Sequence, residues 1–170
     1  MSSAAQADDA LDALARRVAR ALKTKGLMLS TAESCTGGMV SQVLTSMAGS
    51  SEWFERGFVT YSNLSKRELL NVSTNTIARF GAVSEQAARD MAEGALANSE
   101  AQVAVAITGV AGPTGGTPEK PVGTVWFAWA GKDRDTVTAS AQYEGDRDAV
   151  RHQATGRALA GLVTFIGESE

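Results

Sequence analysis

The sequence predicts a three-layer α/β/α fold built on a mixed, mostly parallel sheet. Strand-like and helix-like segments alternate along the chain, a pattern that favours a parallel or mixed sheet with helices on both faces. Residues 103–107 (VAVAI) are apolar throughout, as is typical of a central strand that is covered on both sides. Two further strand-like segments follow each other closely, so we expect a C-terminal antiparallel hairpin. The length of 170 residues suits one domain spanning the whole chain.

The N-terminal part is predicted to contain two helices and two strands. The first helix ends at Gly26, and its apolar face has residues spaced by three and four: Leu11, Leu14, Val18 and Leu22. Short strands are predicted at 27–31 and at 57–61 (GFVTY), where residues favoured in sheets are concentrated. Between them lies a second helix with the apolar stripe Met39, Val40, Val43, Leu44 and Met47.

The rest of the chain is predicted to contain four helices and three strands. Ser62 and Asn63 are good caps for a helix that ends near Leu70, a short helix is expected at 74–80, and Ser84 caps a longer one. The strand at 103–107 is followed by a glycine-rich loop and by strands at 124–130 and 136–142, which turn at 131–133. The last helix is expected to begin near Asp146 and to end near residue 166.

Composition excludes several classes of function. A net charge of -3 and a pI of about 5.3 argue against a nucleic-acid-binding surface. One cysteine, Cys35, and one histidine, His152, argue against a disulfide framework and against a metal site built from several such ligands. No segment approaches the roughly 20 apolar residues that cross a bilayer, and no export signal is apparent, so we expect a cytoplasmic protein that needs no metal and does not bind a membrane.

Three loops rich in hydroxyl groups and glycine follow predicted strands: ESCTGG, YSNLSK and TGVAGPTGG. In an open α/β sheet, ligands bind beyond the carboxyl ends of the strands. If the three strands are parallel neighbours, the loops therefore converge on one site. The third loop lacks both the Walker A pattern and G-x-G-x-x-G, and we expect Gly109 and Gly112 to belong to the wall or lid of a small-molecule pocket.

The first loop offers a candidate nucleophile. Backbone N–H groups at a strand-to-helix turn point to one spot, and Ser34 beside them has the surroundings that an oxyanion-forming nucleophile needs. The glycines Gly37 and Gly38 allow a ligand to approach the backbone closely. Two alternatives remain open at this point: the loop is only a capped helix start, or Cys35 is the nucleophile because a helix N-terminus lowers the pKa of its thiol.

The second loop offers a candidate base. Lys66 lies in the first turn of a predicted helix, where the helix dipole disfavours a cation and lowers the lysine pKa. A neutral lysine can accept a proton, and Tyr61 at the end of the preceding strand can relay one. The alternative is a solvated surface lysine beside a core tyrosine.

The last helix offers a candidate phosphate site. Arg147 and Arg151 are four residues apart and therefore share a helix face near its positive end. Together with free N–H groups they would hold a phosphate. The alternative is that Asp146 and Asp148 neutralise the two arginines in a solvated helix start.

Long segments of the chain, in this order, resemble the CinA C-terminal domain family: AESCTGG, GSSEWFERGFVTYSNLSK, AVSE, ITGVAGPTGGTPEKPVGTVWFA and GDRDAVR. The resemblance covers about residues 10–166. It implies a single domain of this type, an α/β/α fold, and an amidohydrolase that converts nicotinamide mononucleotide and water to nicotinate mononucleotide and ammonia. It implies no metal and no cofactor.

The resemblance also implies roles for individual residues. Ser34 is the nucleophile and Lys66 its base, with Tyr61 and Thr108 as helpers. The amide carbonyl is expected to lie against the N–H groups of Cys35 and Thr36. The full set expected to contact the nucleotide is Cys35, Thr36, Gly37, Gly38, Asn63, Gly109, Gly112, Arg147 and Arg151.

Rival interpretations remain at this stage. An amidase with Cys35 as nucleophile is one, and a nucleotide-binding or regulatory module without turnover is another. A structural partner of a separate CinA-type protein is a third. Trp53, Phe54 and Phe58 suit either core packing or an interface between copies, so a homo-oligomer is also open.

Overall fold

The computed structural model describes residues 2–168, which form one five-stranded sheet and six helices. The strands are β1 (Leu29–Glu33), β2 (Phe54–Val59), β3 (Val103–Gly109), β4 (Thr124–Gly131) and β5 (Arg134–Gln142). The helices are α1 (Ser3–Lys25), α2 (Met39–Thr45), α3 (Asn63–Leu70), α4 (Thr74–Phe80), α5 (Glu85–Ala97) and α6 (Arg147–Ile166). A single 3₁₀ turn within this part of the chain, Ser50–Glu52, precedes β2.

The strands are ordered β2-β1-β3-β4-β5. β1 pairs in parallel with both β2 and β3, whereas β4 is antiparallel to β3 and to β5. The expected C-terminal hairpin is therefore present, and four of the five strands run in the same direction. The carboxyl ends of β2, β1 and β3 lie side by side, which brings the three loops that follow them to one edge.

The strand limits differ from the sequence-based prediction, and two strands, β1 and β2, are shifted along the chain. β1 ends at Glu33 rather than at residue 31, and β2 spans Phe54–Val59 rather than 57–61. The parallel register pairs Leu29 with Phe54 and continues through polar residues that hydrophobic patterning does not detect. β2 is an edge strand, where polar side chains such as those of Glu55 and Arg56 can face water.

The central strands place large side chains on one face and small ones on the other. Val103, Val105 and Ile107 of β3 join a core that also contains residues of α1, α2 and α6. Ala104 and Ala106 face the opposite core, beneath α5. α5 contributes mostly alanines to this second core, so it lies close to the sheet. The two faces thus form the expected three layers.

α3 and α5 approach each other closely at Gly94. A Cβ atom built on Gly94 would lie 1.8 Å from the carbonyl oxygen of Leu70. This contact with the backbone leaves no room for a side chain, and it fixes the end of α3 against α5. No helix within residues 2–168 has both the length and the apolar character needed to cross a membrane.

We expect Gly94→Ala to lower the free energy of unfolding by about 2 kcal/mol or more, since forcing extra atoms into a packed contact costs about 1–3 kcal/mol. Gly156→Ala is the matched control, because a Cβ on this α6 residue would meet only Leu11 Cδ2 at 3.6 Å. The control should be neutral or stabilising by up to about 1 kcal/mol through helix propensity. Urea unfolding measures both, and equal stability of the two variants would contradict the prediction.

Candidate active site

Ser34 and Lys66 are in direct contact at the carboxyl edge of the sheet. Lys66 Nζ lies 2.9 Å from Ser34 Oγ, although the two residues are 32 positions apart. Ser34 directly follows β1, and Lys66 lies in the first half of α3. Ser34 and Lys66 are 7% and 1% exposed, respectively, so the contact is shielded from bulk water.

The register of the sheet explains why this contact forms. Ser34 N–H donates to the carbonyl of Ile107, and Thr60 N–H donates to the carbonyl of Glu33, so the parallel pairing continues one step beyond the strands. Ser34 therefore lies between Thr60, which follows β2, and Thr108 of β3. Alternation along β1 turns Ser34 towards the side of α3 and α5, whereas Glu33 faces α2.

Lys66 has only uncharged partners in this contact. Besides Ser34, its Nζ donates to the carbonyl oxygens of Thr60 (2.8 Å) and Tyr61 (3.2 Å). Burial lowers the pKa of Lys66 from 10.5 to about 8, because a desolvated ammonium is disfavoured and the partners supply no negative charge that would restore it. A substantial neutral fraction of this amine is therefore present at mildly alkaline pH.

The loop of residues 34–38, here called the serine loop, keeps two backbone donors unused. Gly37 N–H donates to the carbonyl of Ser34 and closes a tight turn. The N–H groups of Cys35 and Thr36 form no hydrogen bond with another residue among 2–168. Gly38 has φ +105°, a conformation that favours glycine, and begins α2. The unused donors next to Ser34 suit an oxyanion.

Glu33 is a functional candidate that the sequence-based reasoning missed. Its buried carboxylate accepts hydrogen bonds from Thr36 Oγ1 (2.7 Å) and from the N–H groups of Val40 (2.9 Å) and Ser41 (3.0 Å). Ser41 Oγ adds a fourth bond at 2.6 Å. Glu33 lies beyond the predicted end of the first strand at residue 31, so its burial was not expected, and a buried carboxylate needs several partners such as these. Glu33 therefore occupies two N–H groups in the first turn of α2 and leaves those of Cys35 and Thr36 open.

Gly57 makes room for this network. A Cβ on Gly57 would lie 2.7 Å from Thr31 Oγ1 and 2.8 Å from Ser41 Oγ. These two hydroxyl oxygens are 2.7 Å apart and connect β1 to the first turn of α2. The glycine in β2 is thus required by the hydroxyl pair beneath the serine loop.

Both arginines of α6 reach the site, and both contact protein oxygens. Arg151 donates through Nε to the carbonyl of Cys35 (3.1 Å) and through Nη2 to that of Thr36 (3.2 Å). Arg147 donates to the carbonyl of Gly112 (2.8 Å) and to the hydroxyl of Tyr61 (2.9 Å). Arg147 is exposed, whereas Arg151 is half-buried against the serine loop.

The other predicted site residues lie around the same edge with different contacts. Thr108 is buried, and its hydroxyl donates to the carbonyl of Ala82 (2.8 Å), which ties the loop before α5 to the end of β3. Tyr61 lies beyond β2 rather than closing it, and its side chain is exposed instead of forming part of the core. Asn63 is exposed as the first residue of α3, whose N-cap is Ser62. Gly109 ends β3 beside the glycine-rich loop.

The structure argues against the alternative of a reactive thiol at Cys35. The Cys35 side chain packs into the core formed with α1, α2 and α6, and it is 4% exposed. Burial raises the pKa of Cys35 to about 11, because a desolvated thiolate is disfavoured. The dipole of a short helix does not offset that effect. Only the backbone N–H of Cys35 remains a candidate for substrate contact.

The single histidine contacts α1 rather than the Ser34–Lys66 pair. His152 Nε2 lies 3.5 Å from Asp8 Oδ1, and its other ring nitrogen lies 3.2 Å from the carbonyl of Asp148. His152 therefore occupies the outer surface where α6 meets α1. Across residues 2–168 the structure brings together no three His, Cys, Asp or Glu side chains that could share a metal ion.

Comparison with known proteins shows the family to which the chain belongs. The model of the CinA C-terminal domain matches residues 11–166. The chain belongs to the CinA C-terminal domain family. It is 54% identical over 158 residues to a protein of Enterobacter agglomerans named nicotinamide-nucleotide amidohydrolase PncC, covering 93% of this chain and 94% of that one. The PncC of Pseudomonas putida is 46% identical, with 91% of this chain and 96% of that one covered.

Solved structures of the family share the fold. The crystal structure of the competence/damage inducible protein CihA from Agrobacterium tumefaciens superposes with a TM-score of 0.91 at 45% identity, over 93% of this chain and 96% of that one. A CinA superfamily protein from Escherichia coli gives a TM-score of 0.85 at 38% identity, over 97% of this chain and 93% of that one. The prediction of a CinA-type α/β/α fold is confirmed.

The buried amine of Lys66 should make stability depend on pH. Its pKa is lower in the folded chain (about 8) than the ordinary value of 10.5, so between these values the unfolded chain binds more protons. The wild type should therefore gain stability relative to Lys66→Met as pH rises from about 8 to about 10.5. Denaturant unfolding of both chains across this range measures the difference, and a constant difference would contradict the prediction.

Proposed function

We propose that this chain hydrolyses the carboxamide of nicotinamide mononucleotide, producing nicotinate mononucleotide and ammonia, with Ser34 as nucleophile and Lys66 as base. The observation that carries the proposal is the 2.9 Å contact between a buried, partly neutral amine and a serine hydroxyl. The activity is that named for the PncC relatives, which the chain matches over nearly its whole length.

The partners of Lys66 suit both of its protonation states. A neutral amine has two N–H bonds and one lone pair, which match two carbonyl acceptors and the Ser34 hydroxyl proton. When Ser34 attacks the carboxamide carbon, its proton passes to the lone pair of Lys66. The resulting ammonium has three N–H bonds for the same neighbours and can deliver one proton to the departing nitrogen.

The unused backbone donors of the serine loop serve the tetrahedral intermediate. Attack by Ser34 Oγ converts the carbonyl oxygen to an oxyanion, which the N–H groups of Cys35 and Thr36 are available to bind. The C–N bond then breaks, ammonia leaves with the proton from Lys66, and an acyl ester remains on Ser34. Lys66 takes a proton from a water molecule that attacks this ester; the bond to Ser34 Oγ breaks, Lys66 returns the proton to Oγ, and the carboxylate is released.

The phosphate and ribose of the nucleotide supply binding energy away from the reacting carbon. Arg147 or Arg151 is the candidate phosphate anchor, and the glycine-rich loop held by Arg147 lies next to it. An anchor of this kind positions the carboxamide and acts mainly on binding. The single cysteine is an unpaired buried thiol, which suits a reducing compartment, so we propose that the reaction takes place in the cytoplasm.

The decisive test is incubation of the purified chain with nicotinamide mononucleotide and identification of the product by mass. We expect amide-to-acid conversion, abolished by Ser34→Ala and Lys66→Met, each of which should lower kcat at least about 1,000-fold. Cys35→Ala is the matched control and should keep its kcat within about an order of magnitude of the wild type, because its thiol is not ionised. Loss of activity in Cys35→Ala alone would reverse the assignment, and binding of the nucleotide without turnover would indicate a binding module.

The pH profile tests Lys66 as the base. Because the pKa of Lys66 is about 8, the neutral amine is the minor form at pH 7. We expect kcat/KM to rise about tenfold per pH unit below this pKa and to level off above it, since only the neutral form accepts the serine proton. A profile that is flat between about pH 6 and 9 would contradict this role.

A further inference from the structure

We propose that Glu33 and Arg151 are positioning residues that hold the serine loop from opposite sides and thereby aim its oxyanion donors. This inference rests on the proposed function, because it concerns the same reaction. Glu33 binds the hydroxyl of Thr36 from beneath the loop, and Arg151 binds two of the loop carbonyls from α6. The loop is thus held through the side chain of Thr36 and through the main-chain carbonyls of Cys35 and Thr36.

The Glu33 carboxylate closes the loop onto the strand from which it leaves. The chain passes from Glu33 through residues 34–38 into α2, whose first N–H groups return to the same carboxylate. Thr36, in the middle of the loop, is bound to it as well. Because Glu33 is fully buried, these bonds are shielded from water and keep one geometry. The position of the Thr36 backbone therefore depends on Glu33.

Arg151 acts on the same peptide unit that carries a candidate oxyanion donor. The carbonyl of Cys35 and the N–H of Thr36 belong to one planar peptide group and point in opposite directions. Arg151 Nε binds that carbonyl, so the N–H of Thr36 faces away from α6. A cation at the carbonyl end also polarises the peptide and strengthens its N–H as a donor.

The contacts separate the tasks of the two arginines. Arg151 is half-buried, and two of its donor groups bind carbonyls of the serine loop, so these groups already have protein partners. Arg147 is exposed and bridges the glycine-rich loop and the Tyr61 hydroxyl, at the outer rim of the site. Arg151 is therefore expected to affect the chemical step, and Arg147 is the arginine left to contact the substrate phosphate.

The experiment compares Arg151→Gln, Arg151→Lys and Arg147→Gln in the full chain, with kcat and KM for nicotinamide mononucleotide. Removing an oxyanion donor costs about 100- to 1,000-fold in kcat, so misplacing one should lower kcat at least about tenfold in Arg151→Gln, with KM within about twofold. Arg151→Lys should recover part of kcat, because an ammonium can still bind one carbonyl. Arg147→Gln should instead raise KM. A raised KM with unchanged kcat in Arg151→Gln would overturn the proposal.

Glu33 is tested by Glu33→Gln, which should also lower kcat at unchanged KM. Because Glu33 is buried, Glu33→Gln can also impair folding, so two variants of its partner Thr36 test the same contact. Thr36→Ser keeps the hydroxyl that Glu33 binds, and Thr36→Val removes it. We expect the kcat of the valine variant to be at least about tenfold lower than that of the serine variant. Equal kcat values for this pair would overturn the role of Glu33.

Two control variants change similar groups far from the site. Glu52→Gln alters an exposed glutamate ahead of β2, and Arg134→Gln alters an arginine that also donates to a backbone carbonyl, at the opposite edge of the sheet. Thermal unfolding gives the folded fraction of each variant, and kcat is expressed per folded chain. The kcat of both control variants should then match that of the wild type. If the wild type itself releases no nicotinate mononucleotide, the proposed function fails; if it does and the Glu33 and Arg151 variants match it, only this inference fails.

Discussion

The site depends on one amine that the fold has removed from water without giving it a counter-ion. Lys66 is held by a serine hydroxyl and two main-chain carbonyls, and this uncharged setting lowers its pKa. A carboxylate in the same place would keep the lysine protonated and leave it unable to accept a proton. The choice of neutral acceptors therefore decides whether Lys66 can act as a base.

The sheet supplies the precision that this arrangement requires. Ser34 is placed by parallel pairing on both sides, and the alternation of β1 sends it towards Lys66 while Glu33 turns to α2. A slip of one residue in β1 would exchange the two side chains and put the carboxylate beside the amine. The rigid centre of the sheet, with its large and small faces, is what prevents that slip.

The sequence allowed most of the fold to be predicted, because periodic apolar faces and capping residues mark the helices clearly. α4 matches its predicted range, Ser62 and Ser84 are the N-caps expected, and the last helix begins near Asp146 as predicted. The limits of β1 and β2 were displaced because pairing, not hydrophobicity, sets the ends of strands with polar residues. Ser34 and Lys66 were found as a pair through the family resemblance, whereas Glu33 and Gly57 act through contacts that no local pattern reveals. The alternative of a Cys35 nucleophile stayed open because the burial of this thiol depends on the packing of three helices.

Much of the chemistry here is carried by the main chain. Two acceptors of Lys66 are carbonyl oxygens, and the donors left open beside Ser34 are amides, so replacing the side chains of Thr60, Tyr61 or Cys35 leaves those groups in place. Relatives can therefore diverge in side chain at such positions while retaining the same reactive surroundings. An alanine scan would count few essential residues and would overlook peptide groups, whose contribution becomes visible only when the path of the backbone itself is altered.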